Sequence, residues 1–181
     1  MSVKRRNPQP LTPARLEELA LAYVARFATT QAKLGAYLQR KLREHGWEGE
    51  GTPPVDELVG RYAELGYVDD AAWARMKAGS LLRRGYGARR VGEALGQAGI
   101  EEDMRADLRP PESEQRRAAL VMARRRRFGP FAVQPLDRPA REKQLAAMLR
   151  AGHTLDIARR IVDASDPDAA EEWAESAFGD E

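Results

Sequence analysis

Three stretches of this 181-residue chain close in the same way: Leu42-Arg43-Glu44-His45-Gly46-Trp47, Leu95-Gly96-Gln97-Ala98-Gly99-Ile100 and Met148-Leu149-Arg150-Ala151-Gly152-His153. In each, a large apolar residue stands four places before a glycine. Glycine takes up the left-handed conformation that closes a helix, and the residue after it can fold back on the last turn. A longer helix precedes each glycine, and a short one with acids near its start follows: Val55-Asp56-Glu57, Glu101-Glu102-Asp103 and Asp156-Ile157. A repeat of this kind restricts the chain to an all-α fold of three-helix units, each of roughly 45–50 residues and used three times. The expected units are residues 13–66, 67–111 and 112–164, with residues 1–12 a disordered basic leader and 165–181 an acidic C-terminal tail.

The helix periods support this division. Ala, Leu, Arg and Glu are abundant, no segment alternates as a strand, and apolar residues recur at spacings of three and four. Pro13 suits the first turn of a helix to Arg26, and Thr29 or Thr30 can cap a second in which Leu34, Leu38 and Leu42 share a face. Further helices are predicted over 55–65, 71–84, 88–98, 101–108, 112–128, 140–151 and 154–164. Gly129 to Pro139 reads as a proline-interrupted loop.

Composition then excludes whole classes of function. The chain has no cysteine, so disulfides, thiolate zinc sites and cysteine nucleophiles are ruled out. No apolar run approaches the ~20 residues of a membrane span, and no signal-peptide core follows the N-terminus, so a cytoplasmic protein is expected. His45 and His153 each flank a helix-ending glycine, where a histidine interacts with the helix dipole, and no catalytic spacing accompanies them. The expectation is a protein that is not an enzyme and holds neither cofactor nor metal.

Charge is segregated. Residues 79–92 carry Arg83, Arg84, Arg89 and Arg90 with no acid, and residues 115–130 carry Arg116, Arg117, Arg124, Arg125, Arg126 and Arg127 with no acid. Residues 163–181 hold eight acids and no base. A chain polarised in this way suits a polyanion or a partner's acidic face. Four consecutive arginines cover the whole circumference of a helix, which leaves two readings open, polyanion contact and solubility. Tyr86, Phe128 and Phe131, beside these arginines, can stack on bases or pack internally. The tail can mask the basic clusters in cis or remain solvated, and Trp173 can dock on the basic body or stay free. Trp47, Trp73, Tyr62 and Tyr67 read as core anchors.

Two other features have bland readings. Asp69-Asp70, near Glu64, fits a helix cap better than a metal site, because no further carboxylates converge at recognisable spacing. Gly85-Tyr86-Gly87 fits a helix–helix turn better than a phosphate loop, since no strand precedes it. That turn brings Arg83, Arg84, Arg89 and Arg90 to one corner, where guanidiniums can engage phosphates or carboxylates.

The order Gly66-Tyr67-Val68-Asp69-Asp70-Ala71-Ala72-Trp73-Ala74, then Arg83-Arg84-Gly85-Tyr86-Gly87-Ala88-Arg89-Arg90-Val91, then Leu95-Gly96-Gln97-Ala98-Gly99-Ile100 resembles the second repeat of the RecX regulatory family. The first repeat resembles the family over about residues 21–66, and the third, more weakly, over about 113–164. A monomer with no membrane partner is expected. The resemblance implies a curved, elongated array of three-helix repeats. It also implies that the array binds the RecA recombinase filament and inhibits its recombination, ATPase and coprotease activities in DNA repair and the SOS response. Members of the family can also contact single- or double-stranded DNA. A direct DNA- or RNA-binding helical module without a recombinase partner is the alternative, and a generic adaptor a third.

Overall fold

A computed structural model describes residues 9–176. These residues form ten α-helices, one 3-10 turn at Gly129–Phe131 and a single isolated bridge between Leu11 and Trp47. That content is all-α and compatible with three units of three helices followed by one more. None of the helices is long and apolar enough to cross a membrane. The chain divides into two compact units, residues 9–73 with Ala98–Ile100, and Ala74–Gln97 with residues 101–176.

The first unit is built on α1 (Pro13–Arg26), α2 (Gln31–His45) and α3 (Val55–Glu64). Thr12 caps α1 by accepting from the Arg15 amide at 3.2 Å, with Pro13 in the first turn, where its missing N–H costs nothing. Thr30 rather than Thr29 caps α2, accepting from the Lys33 amide at 3.3 Å. Its hydroxyl also donates to the Ala98 carbonyl at 2.6 Å, and that double duty explains why this threonine is fully buried. Leu34 and Leu38 are fully buried and Leu42 partly so, as their four-residue spacing predicts. Val55, Leu58, Val59 and Tyr62 turn inward from α3.

Leu11, assigned by sequence to a disordered leader, is buried in this core. Its amide donates to the Gly46 carbonyl and its own carbonyl accepts from the Glu48 amide, both at 3.0 Å. Residues 1–8 lie outside the described residues. Tyr67, expected in the core, is 56% exposed and leans on the buried Tyr62 with ring centroids 5.5 Å apart.

The division between the units falls inside α4 (Asp70–Arg83). Asp69 is its cap, accepting from the Ala72 amide at 2.7 Å, whereas Asp70 accepts from the Gln31 amide at 2.9 Å. Both carboxylates thus serve helix N-termini, and among the described residues no cluster of carboxylates and histidines could hold a metal.

The second unit continues through α5 (Ala88–Gly96), α6 (Glu102–Asp107), α7 (Glu112–Arg126), α8 (Arg138–Arg150), α9 (Leu155–Val162) and α10 (Pro167–Glu175). Its core is made where the small residues Ala119 and Ala123 of α7 admit Ile157 and Ile161 of α9 and Met148 of α8. α10 lies in the stretch read from sequence as an acidic tail. Asp166 caps it and Pro167 opens it, while Ala170 and Ala174 are fully buried in the core. Its acids occupy the outer face, so the acid count concealed an amphipathic helix. Asp180 and Glu181 lie outside the described residues.

Two turns interlock in this unit. The Gly87 amide donates to the Ala151 carbonyl at 2.9 Å, and the Arg89 amide to the Gly152 carbonyl at 3.2 Å. A Cβ on Gly87 would overlap the Gly152 carbonyl, and one on Gly152 would overlap the backbone of Arg90, so both positions require glycine. His153 seals the junction. It is buried, and its Nε2 lies 3.0 Å from the Gly85 carbonyl, an acceptor, so Nε2 carries the proton. Burial holds its pKa below the ordinary value and outweighs that hydrogen bond. The sequence reading of His153 as a histidine interacting with the helix dipole is therefore corrected: it is a buried packing group that donates to the Gly85 carbonyl.

Candidate partner-binding face

The ten arginines singled out in the sequence all belong to the second unit, and the fold sorts them into three kinds. Arg116 is buried. Its Nε donates to Glu112 at 2.9 Å, its Nη1 lies 3.3 Å from the Ser176 hydroxyl, and its guanidinium covers the Trp173 ring at 4.8 Å. It fastens α10 to α7, and Trp173 docks on the basic body accordingly.

Arg89 and Arg90 share one carboxylate, Glu93, one turn on. Arg89 also donates to the Leu149 carbonyl at 2.7 Å, so it stitches α5 to the end of α8. Arg124 pairs with Glu171 of α10, and its guanidinium stands 5.9 Å from the Phe131 ring.

The third kind is turned to solvent. Arg83, Arg84, Arg117, Arg125, Arg126 and Arg127 are exposed, and none pairs with a carboxylate among the described residues. Helix geometry decides which of them converge. α7 ends at Arg126, and Arg127 adopts the left-handed conformation at φ 55° that caps it, so the run of four does not encircle the helix. Arg125 and Arg126 instead face the turn after α4. There Arg125 donates to the Arg84 carbonyl at 3.0 Å, and the Arg84 guanidinium lies 5.5 Å from the Tyr86 ring.

Gly85 makes this approach possible. It has φ +85°, and a Cβ there would lie 2.9 Å from the Met122 amide nitrogen of α7. The result is a cavity of about 170 Å³ lined by Arg84, Arg125 and Arg126 with Tyr86 and no acid. A second cavity, of about 290 Å³, is lined by Arg83 and Arg117 with Glu114 and the apolar Leu82, Ala118 and Val121. Three arginines lining a small cavity with no acid can offer an oxyanion, phosphate or carboxylate, charge-assisted hydrogen bonds.

Sequence reasoning grouped Arg83, Arg84, Arg89 and Arg90 on one corner. The cavities take the first two with α7 residues, and Glu93 takes the last two. Phe128, Phe131 and Tyr86 are partly buried against the core. The sequence reading passed over Arg159 and Arg160, which line a larger groove of about 770 Å³ with Arg116, Asp156, Asp163 and Trp173. Their signal was the sharply amphipathic α9, whose apolar face is Ile157, Ala158, Ile161 and Val162.

Fold and site together define an all-helical protein with an arginine-lined face. Comparison with known proteins narrows this. The chain is 35% identical over 170 residues to the regulatory protein RecX of Myxococcus xanthus, covering 88% of this chain and 90% of that one. It is 32% identical over 178 residues to the regulatory protein RecX of Deinococcus radiodurans, covering 92% and 81%. The crystal structure of RecX from Lactobacillus salivarius matches with a TM-score of 0.65 at 16% identity, over 90% of this chain and 96% of that one, and so shares the fold. No family model matches the chain. On the strength of these relatives, the chain belongs to the RecX family.

Proposed function

We propose that this chain is a non-enzymatic regulator that binds the RecA recombinase filament and inhibits its recombination, ATPase and coprotease activities, in DNA repair and the SOS response. The observation that carries the reading is the cavity of Arg84, Arg125 and Arg126, which no acid neutralises, in a chain whose relatives are named regulatory proteins. Arginines left without carboxylates contribute little to folding and offer a partner's anionic groups paired, bidentate contacts. The two residues flanking Gly85 also fall within the segment that resembles the family's second repeat.

The test is to titrate the protein into RecA-driven strand exchange and single-strand-stimulated ATP hydrolysis. Inhibition is expected at well below one molecule per recombinase, and its absence sinks the reading. Charge reversal at Arg84 and Arg126 should abolish inhibition, while reversal at Arg89 and Arg90, already engaged with Glu93, should weaken it less. A direct nucleic-acid module predicts instead affinity for naked DNA that falls steeply with salt and is lost in the same Arg84 and Arg126 variant, with no effect on the filament.

A further inference from the structure

The first unit carries a surface of different chemistry. Tyr23 of α1 and Tyr37 of α2 stack with ring centroids 4.2 Å apart and planes 19° apart. Phe27, four residues beyond Tyr23, continues the ladder at 5.3 Å with a tilt of 50°. The two tyrosines pack against the core of the unit, whereas Phe27 is 53% exposed. The Arg26 guanidinium lies 5.8 Å from the centre of the Phe27 ring, and that of Arg40 5.6 Å from the centre of Tyr37. Arg26 has no carboxylate partner among the described residues; Arg40 reaches Glu44 at 3.6 Å, a carboxylate that Lys41 holds more closely at 2.6 Å.

Packing accounts for the tyrosines, which close the seam between α1 and α2. It does not account for Phe27, whose ring is half in water and fills no part of the core. We propose that Phe27, the exposed end of an aromatic ladder with Arg26 at its own ring and Arg40 at the far ring of Tyr37, is a stacking site for the bases of single-stranded nucleic acid. Every base has a π-face, and a phenyl ring already in contact with the tilted ring of Tyr23 loses little freedom when a base settles on it. The guanidiniums at the two ends of the ladder, Arg26 at Phe27 and Arg40 at Tyr37, supply the charge that the strand's phosphates require. A single exposed ring is too little for the apolar centre of a protein interface but sufficient for one base. The site lies in the first unit and is argued without the arginines of the second, so either reading can fail alone.

The experiment compares binding of the full-length chain to a labelled oligothymidine and to an abasic phosphodiester strand of equal length, at low salt. The oligothymidine should bind more tightly. Phe27→Ala should weaken it roughly five- to a hundred-fold and leave the abasic strand unchanged. Phe27→Leu keeps apolar bulk without a π-face and should behave like Phe27→Ala, Phe27→Trp should retain binding, and Arg26→Gln should weaken both strands. Equal affinity of the unaltered protein for the two strands, binding of neither, or unchanged oligothymidine affinity in Phe27→Ala overturns the proposal. So does loss of filament inhibition in Phe27→Ala with strand binding intact, which would assign the ring to a protein contact.

Discussion

In the first unit, several cations are matched on their own helix or on another, Arg15 with Glu18, Arg61 with Glu17 and Lys41 with Glu44, while Arg26 and Arg43 have no carboxylate among the described residues. In the second, Arg116, Arg89 and Arg124 are similarly committed, but Arg83, Arg84, Arg117, Arg125, Arg126 and Arg127 have no carboxylate among the described residues. The two regions use the same side chains for different ends. Paired charges on a helix surface add a few tenths of a kcal/mol each, so they support a local fold. Unpaired guanidiniums held near one another repel, and that cost is offset when an anion arrives. A count of arginines does not separate these roles; their partners do.

The interlocked turns are where the second unit should break most readily. Gly87→Ala places a Cβ onto the Gly152 carbonyl and should cost about 3 kcal/mol or more, read as a lowered urea midpoint. A smaller shift would mean that the turns can separate without unfolding the unit.

Arg116 and Arg61 test the contrast directly. Arg116→Gln removes a buried guanidinium that holds Glu112, Trp173 and Ser176, and about 2–3 kcal/mol should be lost. Arg61→Gln removes an exposed pair with Glu17 and should cost less than about 1 kcal/mol. Equal losses would show that burial does not separate the two units' charges.

His153 gives the second unit a pH dependence. Its pKa in the folded chain lies below the ordinary 6.5, so the unfolded state binds the proton more readily. Its share of stability is present above pH 6.5 and is lost as pH falls through that value toward the lower folded pKa. Thermal unfolding across pH 5–8 should show this acid loss, and His153→Gln should flatten it.

The smallest effect on stability should come from Glu171→Gln, below about 1 kcal/mol because the pair is half exposed. It frees Arg124, however, and should tighten binding to a polyanion such as heparin. Unchanged binding would show that α10 shields nothing. Removing the whole of α10 is a poorer test, since Ala170 and Ala174 are part of the core.

Legibility followed the range of the interactions involved. The ends of α1, the cap at Thr30 and the inward face of α3 were readable because they depend on neighbours within one or two turns. The burial of Leu11 was not, because the carbonyl it meets belongs to Gly46, and neither was α10, whose acids outnumber the two alanines that seat it. At the site, every arginine was visible, but the helix period could not reveal that Glu93 claims Arg89 and Arg90. Nor could it place Arg125 beside the Arg84 carbonyl, a separation of 41 residues.

What the sequence determined by itself was helix: where helices start, which faces are apolar, and which glycines stop them, since Gly46, Gly99 and Gly152 all adopt positive φ. Those features are set by backbone sterics and by side chains three or four places apart. Tertiary structure alone decided which cations stay available. That choice depends on burial and on carboxylates and carbonyls brought from distant segments. The repeat that named the fold class therefore could not say which of its arginines face a partner.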